Sequence, residues 1–225
     1  MKTNSQPIDS ALRLEQLTEL SVELSVNRNI ALFLEKILRT AKDITHADGG
    51  TVYRTNSDKT SLKFDISIND SLGMYQGGAS GQSIDIPDIP LSTETGDLNL
   101  SAVAAYAANT GASVNLQDVY KVDVFNFSGM RRFDEQYGYH SQSLLTVPMR
   151  DHEGEVIGVL QLINAREPDS GKICGFSDTD QRFIEALASQ AAIALTNHQL
   201  IQLLEDLFES FIKLINIGID EKSPH

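Results

Sequence analysis

Cysteine occurs once in the 225 residues, at Cys174, so no intrachain disulfide can form, and the chain suits a reducing compartment such as the cytoplasm. Basic residues are also scarce. With 18 Lys and Arg against 31 Asp and Glu, the formal charge is −13, the wrong sign for gripping phosphate backbones, which excludes a nucleic-acid partner. No apolar run approaches the ~20 residues that a membrane span needs, and no N-terminal stretch has the form of a signal peptide. Internal repeats and low-complexity segments are absent as well. The histidines, His46, His140, His152, His198 and His225, lie scattered, without the paired spacing that builds a metal site. No constellation reads as an active site, so this stretch of chain is expected to be non-catalytic. What is present is ordinary globular material, 41% hydrophobic and 22% charged. The length is generous for one domain and short for two, which predicts one core with helical extensions.

Hydrophobic periodicity lays out the elements. Asp9 is placed to cap a first helix carrying Leu14, Leu17, Leu20 and Leu24 at helical spacing. Asn29 is placed to cap a second, whose stripe is Ile30, Phe33, Leu34, Ile37, Leu38, Ala41 and Ile44, with Asp48-Gly49-Gly50 as its stop. The period then changes to two. Thr51–Arg54 reads as a strand and residues 56–58 as a turn. Leu62, Phe64, Ile66 and Ile68 alternate with polar residues as a half-buried strand. Residues 69–83, with four glycines, read as loop, and Ser83–Ile86 as a further strand ended by Pro87.

A short helix is predicted over Ser101–Thr110, capped by Asn99 or Ser101 and stopped by Gly111, with a strand over Ala112–Leu116. Residues 118–139 read as loop with a turn or two of helix. Ser143–Met149 and Val156–Ile163 form a hairpin about residues 151–154, and the second strand, apolar on both faces, belongs at the centre of a sheet. Ser177 with Asp180 makes a capping box for a last helix running to about Asn216. This order predicts an α+β fold on an antiparallel sheet of five to six strands, with the first and last helices packed on one face.

The stretches GYHSQSLLTVPMRDHEGEVIGVLQLINA (138–165), FSDTDQRFIEALASQAAIAL (176–195) and AYAANTGASVNLQDVY (105–120) resemble the GAF domain, a small-molecule sensing module of phosphodiesterases and bacterial signalling proteins. The resemblance spans residues 29–198 and implies short helices and loops covering a ligand pocket on the second face of the sheet. It divides the chain into an N-terminal helix (1–28), a sensory domain (29–198), a coiled-coil signalling helix (199–217) and a last segment (218–225). Some members carry an Asn-Lys, then Phe-x-x-x-Asp-Glu pattern associated with cyclic nucleotides. Here Asn164, Phe176 and Asp180 match it, while Ala165 and Gln181 replace the lysine and the glutamate. The last segment, GIDEKSPH, resembles the start of bacterial HD-GYP domains, metal-dependent phosphodiesterases of cyclic di-GMP whose metal ligands would lie further along. The chain then reads as the sensory part of a longer enzyme, with no cofactor of its own and divalent metals only in that further domain.

Several side chains are candidates for a site holding a small anionic or cyclic-nucleotide ligand. The helix start at Asn99 and Ser101 presents unpaired N–H groups and a partial positive charge, which suit an anion as well as they suit a plain cap. Arg132, beside Arg131, offers a counter-charge or a solvated surface pair. Ser143, Thr146 and Gln161 are polar residues on strands expected to be buried, and each needs a partner: a ligand, a carbonyl or a water. Asn115 and Asp118 complete the candidate set, and the glycines of 73–81 read either as a mobile lid or as plain flexibility. Beyond the body, Leu200, Leu204, Leu207, Phe211 and Leu214 alternate by four and three, a coiled-coil seam one step after Asn197. A parallel homodimer, the missing downstream domain or the first helix would each cover it. Function therefore stands between a ligand-binding regulatory module, an unliganded dimerisation module and a chromophore or haem sensor. The last expects Cys-His where this chain has Cys174-Gly175.

Overall fold

The computed structural model describes residues 29–220, with side chains to residue 215; the predicted helix bearing Leu14 to Leu24, and residues 221–225, lie outside them. Helix α1 (Ile30–Thr45) starts where its cap predicts, with the Asn29 side chain accepting from the N–H groups of Ala31 and Leu32. It ends at His46, which takes the left-handed conformation at φ 51°. The predicted stop at Asp48-Gly49-Gly50 instead lies inside strand β1 (Ala47–Thr55). The reason is packing. A Cβ on Gly50 would fall 2.6 Å from Leu38 Cδ1 and 2.9 Å from Leu162 Cδ2, so the glycine lets α1 press on the sheet.

The sheet continues with β2 (Ser61–Asn69), β3 (Met74–Gly77), β4 (Ile89–Pro90), β5 (Val114–Leu116), β6 (Leu144–Arg150), β7 (Val156–Arg166) and β8 (Ile173–Cys174). Its order is β3-β2-β1-β7-β6-β5, with β4 on β2 and β8 on β7, and every pairing is antiparallel. As its apolar faces require, β7 is central. Two expectations fail at the sheet edge. Residues 74–77 of the glycine-rich loop form β3, while Ser83–Ile86 forms no strand. On the outer edge of β2, β3 pairs with Ile66 to Asn69 and β4 with Ser61 and Leu62.

Helix α4 (Asp178–Asp220) packs beside α1 on one face of the sheet. Its capping box is formed: Asp180 N–H donates to Ser177 Oγ at 3.1 Å and Ser177 N–H to Asp180 Oδ2 at 3.0 Å. The main core lies there, built by Leu34, Ile37, Leu38 and Ala41 of α1, Ile184, Leu187, Ala188 and Ala191 of α4, and Val52, Leu145, Leu160 and Leu162 below. The other face carries α2 (Val103–Thr110) and α3 (Ser128–Tyr137) over two smaller clusters. With ten residues, α3 is longer than the turn or two expected. The fold is α+β, with paired long helices on one side and short helices on the other.

Candidate functional site

Because strand side chains alternate, the residues of β1 and β7 that do not face α1 and α4 form a floor on the opposite side. One polar row crosses it. Ser67 of β2 stands opposite Thr51 of β1, Thr51 opposite Gln161 of β7, and Gln161 opposite Thr146 of β6. Above this floor α2, α3 and the strap 86–90 enclose a cavity of about 530 Å³, within the range of ~300–1,000 Å³ usual for small-molecule pockets.

The walls are mostly apolar, with Tyr53, Phe64, Phe127 and Phe133 among them. Four polar features stand out. Gln161 is 7% exposed, lines the cavity, and its side chain has no hydrogen-bond partner among the described residues. Beside it the Thr51 and Ser67 hydroxyls lie 3.3 Å apart. The first turn of α2 opens onto the cavity through Ala102, Val103 and Ala104, and its N-cap, Ala102, supplies no side-chain bond. Arg132 is the only lysine or arginine in the lining, and Asp88 the only acid. An amide uncommitted to the protein, an uncapped helix start and one guanidinium suit a ligand with both an anionic group and a neutral hydrogen-bonding edge.

Of the candidate residues, Asn99, Ser101, Arg132 and Gln161 line the cavity, and Asn115, Asp118, Ser143 and Thr146 do not. Asn99 is committed to the wall itself. Its Oδ1 accepts from Ser101 N–H, Ser101 Oγ–H and Ala102 N–H, while its Nδ2 donates to Pro90 O at 2.7 Å, tying the strap to the helix entry. Asn115 donates to Phe176 O and Gln181 Oε1, joining β5 to the region where α4 begins. Asp118 caps a short turn at Tyr120 and pairs with Lys121 at 2.9 Å, and that hydrogen bond holds its carboxyl below the usual range. Ser143 Oγ accepts from Ala165 N–H. Thr146 is fully buried, and its hydroxyl has no partner among the described residues.

Reading the sequence missed Thr51, Ser67 and the aromatic wall. Thr51 and Ser67 become site residues only through strand register, which a single sequence does not display. Phe127 and Phe133 are positioned by α3, which is anchored from behind. Buried Asp134 accepts from Ser141 N–H at 2.8 Å, Ser141 Oγ–H at 2.7 Å and Tyr120 Oη–H at 3.1 Å. Past the end of α3, Tyr139 donates its hydroxyl to Asp48 at 2.6 Å. Burial alone would raise the Asp48 carboxyl, but bonds from Tyr139, Ser71 and Arg166 outweigh it and hold the group below the usual range. Burial, with Asp48 adding to it, drives the Tyr139 hydroxyl well above its ordinary range.

The three motif residues are braces. Asn164 sits at φ 57°. Its Oδ1 accepts from the N–H groups of Gln142 and Ser143, and its Nδ2 donates to His140 O and to the Tyr139 hydroxyl. Phe176 is 1% exposed, in the core, and Asp180 completes the cap of α4. Cys174 is half-buried, and burial pushes its thiol up, away from the reactive thiolate. Among the described residues no group of three His, Cys, Asp or Glu side chains is placed to hold a metal ion, and no helix is long and apolar enough to cross a membrane.

A family model described as the GAF domain matches residues 29–195. The chain is 26% identical over 210 residues to a cGMP-specific 3',5'-cyclic phosphodiesterase of Drosophila erecta, covering 91% of this chain and 17% of that protein. It is 31% identical over 102 residues to a dual 3',5'-cyclic-AMP and -GMP phosphodiesterase 11 of Drosophila melanogaster, covering 45% of this chain and 6% of that one. The chain thus spans less than a fifth of the length of these curated relatives. Among solved structures, the GAF domain of a phosphoenolpyruvate-protein phosphotransferase from Coxiella burnetii superposes with a TM-score of 0.62 at 13% identity, over 85% of this chain and 96% of that one. The corresponding Acinetobacter domain gives 0.58 at 16% identity, over 84% and 96%. At such identities the likeness is one of fold.

Proposed function

Because this chain belongs to the GAF domain family, we propose that it is the regulatory sensor of a cytoplasmic bacterial signalling protein. Its cavity takes a small anionic, nucleotide-like molecule, and helix α4 carries the occupancy onward. The observation that carries this reading is Gln161: a polar residue 7% exposed, on the floor of a ligand-sized cavity, whose amide has no hydrogen-bond partner among the described residues and is open to the cavity. Its amide is accessible from the cavity and uncommitted to the protein, so it is free to bond a ligand there. The uncapped start of α2 and Arg132 then receive the anionic group. Cyclic nucleotides are the first class to test, since the relatives named above are cyclic-nucleotide phosphodiesterases.

The output we propose is a C-terminal HD-GYP-type phosphohydrolase acting on cyclic di-GMP. Its support is the GIDEKSPH phrase at 218–225, and its metal ligands would belong to that domain. Titration calorimetry of this chain with cGMP, cAMP and cyclic di-GMP, beside native mass spectrometry for a co-purified molecule, tests the sensor. One anionic nucleotide should bind at one site per chain, and Gln161→Leu should weaken it roughly tenfold, the worth of one buried hydrogen bond. Full affinity in Gln161→Leu, or no nucleotide binding by either method, overturns the reading.

A further inference from the structure

The cavity and helix α4 lie on opposite faces of the sheet, and among the described residues none from α4 lines the cavity. The strands between them, β1, β7 and β6, are each paired on both sides. The segment 114–121 goes round the edge instead and touches both. Strand β5 closes the sheet, held by β6 alone over three residues, and runs on through Asp118 into a 3₁₀ turn at Val119–Lys121.

The far end of this segment grips the back of the cavity wall. Tyr120 Oη–H donates to buried Asp134 of α3 at 3.1 Å, and its ring stacks on His140 at 4.7 Å. Val119 shares a core cluster with Val103, Phe127 and Leu144, which line the cavity. The near end grips the start of α4. The Phe176 carbonyl, one residue before the Ser177 cap, accepts from Gln117 Nε2 at 2.9 Å and from Asn115 Nδ2 at 3.2 Å. Asn115 Nδ2 also donates to Gln181 Oε1 in the first turn, and Gln117 Nε2 to Asn115 Oδ1, each at 3.3 Å. The fit is close: a Cβ on Gly175 would fall 1.4 Å from Gln117 Oε1. Two side chains thus spend every amide hydrogen on one junction.

We propose that Asn115 and Gln117 form a clasp through which the position of α3 reaches α4, round the edge of the sheet and not through its centre. Closed, the clasp fixes the carbonyl at which α4 begins. When α3 shifts, Tyr120 draws on the segment, the two amides leave Phe176, and the first turns of α4 loosen. These are bonds between neutral groups at a partly exposed site, on a short edge strand, so they open more readily than the buried ladder of β6 and β7. What moves α3 is occupancy of the cavity, so the trigger rests on the sensor reading proposed above. The mechanical link does not.

Amide hydrogen exchange tests the link without a ligand. Tyr120→Phe frees the back of α3 and keeps the ring. It should speed exchange about tenfold at residues 128–138, the loss of one hydrogen bond, and by a smaller factor at 181–187. Asn115→Ala with Gln117→Ala should speed 181–187 about tenfold and leave 128–138 near the parent. With the clasp thus open, adding Tyr120→Phe should still speed 128–138 but add nothing at 181–187. If the double variant does not fold, Gln117→Ala alone, at an exposed position, gives the same cycle with smaller changes. Exchange at 181–187 that ignores Tyr120→Phe overturns the clasp. So does a rise by the same factor in both backgrounds, which is what general softening gives. Calorimetry with cGMP and cAMP reports separately on the sensor: absence of binding overturns that reading and leaves the variant cycle to decide the clasp. A nucleotide that binds should slow exchange at 181–187 in the parent only, and slowing in the double variant as well overturns the clasp.

Discussion

The Tyr139 hydroxyl, just beyond helix α3, donates to the Asp48 carboxylate at the start of β1 across 2.6 Å, and accepts from the Asn164 amide at 3.0 Å. One phenol thus joins the wall of the cavity to the two central strands of the sheet. Tyr139→Phe removes the donor and leaves a buried charge short of one partner. The expected loss is about 1–3 kcal/mol, read as a lower urea midpoint at unchanged slope.

Asp48 also sets an acid limit. Its folded carboxyl titrates below its ordinary value, so its contribution to stability is complete above the unfolded pKa and is lost as pH falls through the folded one. The parent should lose stability steeply below about pH 4, near the unfolded carboxylate value. Asp48→Asn should be less stable at neutral pH and fall less steeply in acid. Parallel pH profiles for the two proteins would show that Asp48 is not the titrating group.

Gly50 tests the packing of α1 on the sheet. Its added Cβ would stand 2.6 Å from Leu38 Cδ1, and overpacking of this kind costs about 1–3 kcal/mol. Gly50→Ala should lower the melting temperature accordingly. Gly50→Ala with Leu38→Val should recover part of the loss, and two additive destabilisations would show that the contact is not the cause.

These cases mark what a single sequence displays. The stripes of α1 and the body of α4, the cap at Asn29 and the centrality of β7 were legible because each is a local pattern with a fixed period. Gly50 was misread as a stop because its role lies in Leu38 and Leu162, one in the preceding helix and one more than a hundred residues away. Strand β3 was hidden because its short, glycine-ended run is a strand only by pairing with β2. At the site, Gln161 was legible as a polar interruption of an apolar strand. Thr51 and Ser67 were not, since their place beside it is set by register. Asn115 and Ser143 carry the same polar chemistry, and only the fold commits them to the backbone at Phe176 and Ala165.

Thr146 separates structure from ligand chemistry most directly. It stands opposite Gln161 in the polar row, yet it is fully buried, outside the cavity lining, with no hydroxyl partner among the described residues. Valine has nearly the same shape without the hydroxyl, so Thr146→Val removes an unsatisfied group and keeps the packing. Stability should rise by about 1 kcal/mol, the lower end of the cost of a buried unpaired hydroxyl. Thr146→Ser keeps the hydroxyl and deletes a methyl, and should lose about 1 kcal/mol. Because Thr146 does not line the cavity, both variants should bind a nucleotide as the parent does, while Gln161→Leu should not. Denaturation and calorimetry on the three proteins decide between the roles. If Thr146→Val loses both stability and affinity, the hydroxyl has a partner after all, and the floor of the cavity reaches one strand further than β7.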